Sequence, residues 1–459
     1  MARRLLADSA LVAVGTLTGS VLSYGFSFAL AHLLDQTGYG QIGALLMIFL
    51  VASIPATAIQ AVTARRVAGA GAGAADPERL RALTAPLVRW SLIVGVAATV
   101  ALAALAPAVS AALPSVSSGE VAWTALGLTP NALIFCYLGI AQGSERFRAF
   151  SVLFVGYNGI KMVAGLAAGA AGARPGVIMG AMAASWFLTA AVAHWALREL
   201  VGRPHMQRGL GYVRELGTAS WSLGAVLVLS LLDGLLAAHY FGGDALGRYQ
   251  AGALFTRAGY FGPQFAGVLA YPKLAVPETR RKALMTAMAL SVGIGLVIVA
   301  AAVLAAEPMV RVAFGAKYLG DGGTGFDLAS AAWLFAGAGA VQALVQLALL
   351  DAVARRSHVI GWLVFGGIAV EAALILAVAH HSARQLIGTA ALCGAVTAAV
   401  SLTVAAFARQ HAGAHSHAAH GKTSTPPLSD AASVGTEAGG GAFPQSEKDT
   451  AQFGLAREL

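Results

Sequence analysis

The stretch LAHLLDQTGYGQIGALL, Leu30 to Leu46, returns later in the chain as LAAHYFGGDALGRYQAGALF, Leu236 to Phe255. His32 aligns with His239, Gly40 with Gly247 and Ala44 with Ala251, a constant offset of 207 residues. Polar positions match as well as apolar ones, so the pairing is more than shared Ala, Gly and Leu content. On the same offset Pro55 falls within one residue of Pro263. Each copy leaves one apolar run, turns, and enters the next. The chain reads as two related halves.

The surroundings of both copies are almost free of charge. Residues 9–34, 36–64, 90–119, 121–144 and 175–197 hold no Asp, Glu, Lys or Arg, and neither do 283–306, 328–350 and 385–408. Four more apolar runs are each interrupted by charge: 149–172 by Lys161, 217–240 by Asp233, 249–272 by Arg257 and 358–379 by Glu371. A spanning helix needs about 20 apolar residues, so the runs give twelve. Over the 459 residues 58% are hydrophobic and 11% charged, with a mean hydropathy of +0.72. Soluble domains carry about 25% charge. The deficit excludes a soluble enzyme, a nucleic-acid-binding domain and a disordered scaffold, and leaves an all-α polytopic membrane protein. The first run begins too near Met1, and is too long, for a cleaved signal peptide; it reads as a retained helix. Cys136 and Cys393 each lie inside an apolar run and build no disulfide framework.

The loops test the count independently. With a cytoplasmic N-terminus, nineteen Lys and Arg residues fall on internal segments, including Arg65, Arg66, Arg146, Arg148, Arg198, Arg280, Arg281, Arg355 and Arg356. Five fall outside: Arg174, Arg248, Arg311, Lys317 and Arg384. Orientation follows the Lys/Arg excess in short loops. The expectation is a multi-pass protein of the cell inner membrane with both termini cytoplasmic, and the net charge of +9 is explained by topology without a nucleic-acid partner. Six helices per half is an even number, so the halves keep one orientation and form a parallel repeat about an axis along the membrane normal. The expected domains are an N-terminal six-helix lobe, 1–215, a C-terminal six-helix lobe, 216–409, and a disordered cytoplasmic tail, 410–459. The tail is rich in His, Gly, Ser and Pro and has no hydrophobic period. Its Gly421–Lys422–Thr423 lacks the upstream glycine of a phosphate loop.

The first hairpin, with Gly38, Gly40 and Gly43 following Leu34, resembles that of the Wzx-like polysaccharide or lipid-linked oligosaccharide flippases. The second block, with Asp233 before it, Gly247–Arg248–Tyr249 inside it and Pro272 closing the next helix, is similar to their matching segment. The resemblance covers residues 1–409 in layout and is sharp in these two hairpins. Those proteins share a superfamily with MATE drug exporters and lipid II flippases. The resemblance implies a V-shaped, two-lobed transporter that moves lipid-linked sugars across the membrane by alternating access. It implies as partners a lipid-linked glycan, membrane lipids and glycan polymerase or glycosyltransferase machinery, with no cofactor and no metal. The sequence departs from the wider superfamily in two ways: its first helix carries no acidic residue, and the extra helix pair of lipid II flippases is missing. Few intramembrane cations are present, which argues against a strongly acidic glycan.

A charge in a spanning helix costs at least about 2.5–3.5 kcal/mol on insertion scales, so the four interruptions mark candidate sites. Asp233 and Arg257 lie twelve residues either side of residue 245, which predicts equal depth and an ion pair. One reading makes that pair structural; the other puts Arg257 on the central cavity, where its planar donor set meets a substrate diphosphate. Lys161 has Asn158 one turn before it on the same face and joins Arg257 and Asn158 as a candidate substrate ligand. Glu371 occupies nearly the place in the second half that Lys161 occupies in the first. Asp233 and Glu371 are the candidates for ion coupling or a charge pair. Asn131, Gln60, Gln264, Gln342 and Gln346 read as interhelical hydrogen-bond partners. Pro55 and Pro263 are expected to kink their helices and help gate the cavity. The alternative is a twelve-helix secondary permease or drug or small-solute exporter. The loop between helices 2 and 3, ARRVAGAGAGAADPERLRA, lacks the acidic-basic motif usual in one large class of these. The external carboxylates Asp244, Glu307, Asp321 and Asp327 form no pair that would suit an enzyme.

Overall fold

The computed structural model describes residues 2–69, 77–202, 210–274, 277–354 and 359–419. Among them there is no strand. The first half comprises α1 (Ala2–Leu33), α2 (Gln36–Ala52), α3 (Ile54–Gly69), α4 (Pro77–Ala112), α5 (Ser118–Ala125), α6 (Leu128–Gly143), α7 (Phe147–Ala170) and α8 (Pro175–Ala196). The second comprises α9 (Leu210–Tyr240), α10 (Gly243–Leu274), α11 (Pro277–Leu304), α12 (Ala306–Phe314), α13 (Leu328–Ala354), α14 (Val359–Ala377) and α15 (Ala383–Ala419), with a single 3₁₀ turn at Ala316–Tyr318.

Nine segments of the described residues are long and apolar enough to cross a membrane, and the bent pair α2 and α3 makes a tenth. Helix α9, of 31 residues, contributes the apolar stretch Leu227–Tyr240, and α10, of 32 residues, is long enough to cross but more polar. With α5 and α6 forming one crossing, the layout is twelve spans in two lobes. One face of the bundle, here the hairpin end, carries the α1–α2 and α9–α10 turns. The other carries the Arg-rich connections. Side chains such as Val100, Leu296 and Val297 point outward with more than 60% exposure, as lipid-facing positions should, since lipid tails are as apolar as they are.

Local chemistry sets the helix ends. Asp35 caps α2 by accepting from the Gly38 N–H at 2.9 Å. Ser117 and Glu120 form a capping box on α5. The α2–α3 bend is 41° and falls at Ser53, whose Oγ donates to the Phe49 carbonyl at 2.6 Å, with Pro55 just beyond. The expected kink of helix 2 is therefore present. Helix α10 instead runs through Pro263 as one helix. Tyr260 and Phe261 stand where Ser53 would align, and neither offers a short hydroxyl to take up freed carbonyls.

The two copies of the repeat meet each other. Thr37 Oγ1 donates to Asp244 Oδ1 at 3.1 Å, across the 207-residue offset itself. One turn on, Gly40 packs on Gly247 so closely that a Cβ on Gly40 would lie 2.7 Å from the Gly247 nitrogen. Only glycine allows backbones to approach this far. Equivalent residues touch their own equivalents only on a two-fold axis, so the pseudo-axis of the repeat passes through this crossing. Helix α15 continues to Ala419, ten residues into the segment read as tail. Residues 420–459, with His420 and Gly421–Thr423, lie outside the described residues.

Candidate functional site

Lys161 is buried in α7 at 9% exposure. Its Nζ donates to Asn158 Oδ1 at 3.3 Å, one turn back on the same face, as the spacing predicts. The ammonium also lies 5.8 Å from the Phe26 ring centre and 5.7 Å from that of Tyr157, a cation–π cradle. Asn158 Nδ2 donates in turn to the Phe154 carbonyl at 3.0 Å. Among the described residues no carboxylate lies within ion-pair distance of Lys161.

The expected Asp233–Arg257 pair does not form. The turn between α9 and α10 is Phe241–Gly242 and not residue 245. Asp233 is seven residues from the end of α9, and Arg257 is fourteen from the start of α10. At about 1.5 Å per residue, Arg257 is about 10 Å deeper. What stands level with Asp233 is Tyr249, whose hydroxyl donates to Asp233 Oδ2 at 2.9 Å. Beside it Gln250 Nε2 donates to the Gly234 carbonyl at 3.3 Å. Asp233 is thus buried inside the second lobe at 4% exposure.

Arg257 is only partly buried and faces the first lobe. Its guanidinium acts electrostatically on Tyr24 of α1, Tyr39 of α2 and Lys161 of α7, and also on Asp233 of α9. Nearby, Tyr24 and Phe261 meet edge to face at 6.4 Å between centroids, joining α1 to α10. Lys161 and Arg257, one from each half, thus lie within electrostatic range of each other, with the rings of Phe26 and Tyr157 around the first, and neither is in an ion pair among the described residues. Sequence reasoning named both residues but missed this proximity.

Glu371 is 2% exposed in α14 and interacts electrostatically with Asp233. It lies six residues from the end of its helix, at nearly the depth of Asp233. The two carboxyls therefore belong to the second lobe, while Lys161 belongs to the first. No group of three or more metal-ligating side chains occurs among the described residues.

Of the amides, Asn131 Oδ1 accepts from Tyr157 at 3.0 Å and Gln60 donates to Gln142 at 3.2 Å, both between helices. The Oε1 atoms of Gln342 and Gln346 are buried without a partner. The Gln264 side chain lies outside the described residues.

The lobes are tied at both ends. At the hairpin end Gln36 Nε2 donates to the Lys317 carbonyl at 2.6 Å, and Lys317 Nζ donates back to the Leu34 carbonyl. Arg248, 2% exposed, donates to the carbonyls of Lys317, Tyr318 and Gly320 and pins this loop. At the Arg-rich end Arg65 and Arg66 both reach Glu215 at 3.0 Å, joining α3 to the start of α9. Hydrogen bonds from the two arginines hold the Glu215 carboxyl below its ordinary range.

No protein-family model and no curated protein matches the chain. Its fold is that of a two-lobed helical class already known from solved structures. A multidrug-resistance MATE family transporter of the MOP superfamily, inward-facing, matches with a TM-score of 0.66 at 13% identity, over 84% of this chain and 93% of that one. The lipid II flippase MurJ, inward closed, matches with a TM-score of 0.64 at 8% identity, over 86% and 87%. An outward-facing MATE family transporter of the same superfamily scores 0.59 at 13% identity, over 87% and 94%.

Proposed function

We propose that this chain is a Wzx-like flippase, moving a lipid-linked oligosaccharide or polysaccharide precursor across the bacterial inner membrane by alternating access of its two lobes. The observation that carries the reading is that two cations at membrane depth, Lys161 of one half and Arg257 of the other, lie within electrostatic range of each other and in no ion pair among the described residues. Two like charges brought together at membrane depth repel unless an anion joins them. A diphosphate between a prenyl chain and a sugar supplies that anion. The guanidinium contributes a bidentate fork and Lys161 a point charge oriented by Asn158.

In this reading the lobes are residues 1–215 and 216–409, and residues 410–459 form a cytoplasmic tail. The Arg-rich end faces the cytoplasm, by the excess of Lys and Arg there. The contacts Thr37–Asp244, Gly40–Gly247 and Gln36–Lys317 then close the outer side, and the Arg65 and Arg66 bonds to Glu215 are the tie that must open on the cytoplasmic side. The bend at Ser53, with Pro55 just beyond it, lets α2 and α3 follow different lobe movements and so serves as a gate. Asp233 and Glu371, paired at one depth in the second lobe, carry the coupling proton or cation. Glycan polymerase or glycosyltransferase machinery would supply and consume the substrate.

The test is a flipping assay in proteoliposomes with a fluorescent polyprenyl-diphosphate oligosaccharide. Arg257→Ala and Lys161→Ala should each reduce translocation at least tenfold per molecule of reconstituted protein. Equal translocation by both variants and the parent would remove the anion site from the mechanism.

A further inference from the structure

On the far side of α2 from Lys161 and Arg257 there is a second space. It is an open cavity of about 470 Å³ between α2 and α4 of one lobe and α9 and α14 of the other. Leu102, Val109 and Leu113 form its α4 wall, and Leu236 and Leu376 face them. Of its lining side chains only His239 is polar.

Its length matches one leaflet. Ala112 and Leu376, both lining residues, lie at the hairpin ends of their helices. Leu102 is ten residues deeper on α4, about 15 Å at 1.5 Å per residue and about half of the 30 Å hydrocarbon core. Its mouth is a row of rings with N–H and O–H groups. His239 meets Tyr240 at 4.6 Å, Tyr240 stacks on His380 at 4.5 Å, and His380 meets His381 at 4.5 Å. The Tyr240 hydroxyl donates to the Leu376 carbonyl at 3.4 Å, and Nδ1 of His239 and of His380 donate to the carbonyls of Ala112 and Ile375. These polar atoms thus serve the backbone at the rim, and the apolar channel below suits a hydrocarbon chain.

The groove is separated from the cation pair. Met47, Leu231 and Ala253 form a closed apolar contact joining α2, α9 and α10, with Val51 and Leu235 packed on it. Gly234 sits so tightly on Met47 that a Cβ there would come within 2.4 Å of its terminal methyl. A substrate whose diphosphate lies at Arg257 therefore has no path for its tail into this groove in this state. We infer that the groove is a site for one acyl chain of a phospholipid from the leaflet at the hairpin end. Because both lobes line it, the chain fills the seam between them.

The test uses the full-length protein in vesicles of phosphatidylethanolamine and phosphatidylglycerol, doped with phosphatidylethanolamine carrying a diazirine on its acyl chain. After irradiation, labelled peptides are quantified by mass spectrometry. Labelling over residues 102–113 and 235–239 should exceed by at least fivefold that over 290–297 of α11, an ordinary lipid-facing surface. Ala52→Phe, which fills the floor of the groove, should lower groove labelling several-fold and leave α11 labelling unchanged. Ala112→Phe at the mouth is the second variant if the first does not reach the membrane. Groove labelling equal to that of α11, or unaffected by either filled variant, would overturn the assignment. Labelling that falls when excess unlabelled polyprenyl-diphosphate sugar is added would also overturn it, by making the occupant the substrate's tail.

Discussion

The crossing at Gly40 and Gly247 offers the sharpest perturbation of the lobe arrangement. A Cβ on Gly247 would lie 2.1 Å from the Gln36 carbonyl oxygen, whereas a relaxed carbon–oxygen contact is about 3.3 Å. Gly247→Ala must therefore open the α2–α10 crossing by about 1.2 Å or move backbone on either side. Overpacking of this kind costs about 1–3 kcal/mol, which shifts a two-state equilibrium about 5- to 150-fold. The crossing holds the two halves together at the hairpin end, and in an alternating-access cycle it must separate, so the variant should favour the state in which that end is open. Spin labels at Ser118→Cys and Asp321→Cys, exposed positions on different lobes, read the hairpin-end distance by double electron–electron resonance. The expected result is a longer-distance population that grows at the expense of the parent peak. Gly242→Ala, where an added Cβ meets nothing within 4 Å, is the control and should match the parent. A Gly247→Ala protein of normal abundance with the parent's distance distribution would refute the idea that this crossing holds the outer side shut.

Other consequences concern single side chains. Asp233→Asn should preserve abundance and Arg257-dependent substrate binding, because Asp233 is bonded to Tyr249 and not to Arg257; loss of binding in that variant would restore the ion pair. Tyr249→Phe leaves the buried Asp233 without its hydroxyl donor and should destabilise by about 1–3 kcal/mol, measured as a lower melting temperature in detergent. Glu215 has its carboxyl pKa depressed by Arg66 and Arg65, so the tie stabilises fully above the ordinary value of 4.5 and is lost as pH falls below it. E215Q should lower stability at pH 7 by at most about 1 kcal/mol, given its exposure, and the difference should shrink as pH falls through the depressed pKa of the folded-state carboxyl; an effect independent of pH down to full protonation would remove the charge from the explanation. Reporter fusions after Arg66, Arg148 and Arg281 should read cytoplasmic and those at Ser117, Gly243 and Gly322 external, and one reversal mid-series would contradict the orientation.

The layout was legible because lipid imposes it. Runs free of charge mark spans, and the 207-residue repeat marked the two hairpins; that they touch each other, as in the Thr37–Asp244 hydrogen bond, was not read from it. The hairpin geometry was misread for a definite reason. Asp244 and Arg248 looked like loop residues, which placed the start of helix 8 at residue 249. Asp244 instead stands in the first turn of α10, where an acid suits the helix dipole. Arg248 is turned inward onto the carbonyls of the 317–320 loop. A charge that is capped or hydrogen-bonded does not end a helix, and that error set Arg257 level with Asp233, whereas the observed helix start places it about 10 Å deeper. The Asn158–Lys161 contact was legible, being local to one helix. The approach of Lys161 to Arg257 depends on how the lobes dock, which helical periodicity does not encode. Ser53, where helix 2 breaks, was passed over in favour of Pro55. Serine before a proline in an apolar span is the signal that would have located the bend.

The central claim is that the cation pair receives the diphosphate of a lipid-linked glycan. Its most direct test is binding of a short-chain polyprenyl-diphosphate sugar to the purified full-length protein, read by native mass spectrometry beside the matching monophosphate and the uncharged polyprenol. The account predicts binding in the order diphosphate, monophosphate, polyprenol, with the diphosphate preference lost in the Lys161→Ala, Arg257→Ala double variant. Equal binding of all three lipids, or a diphosphate preference that survives in the double variant, would contradict it.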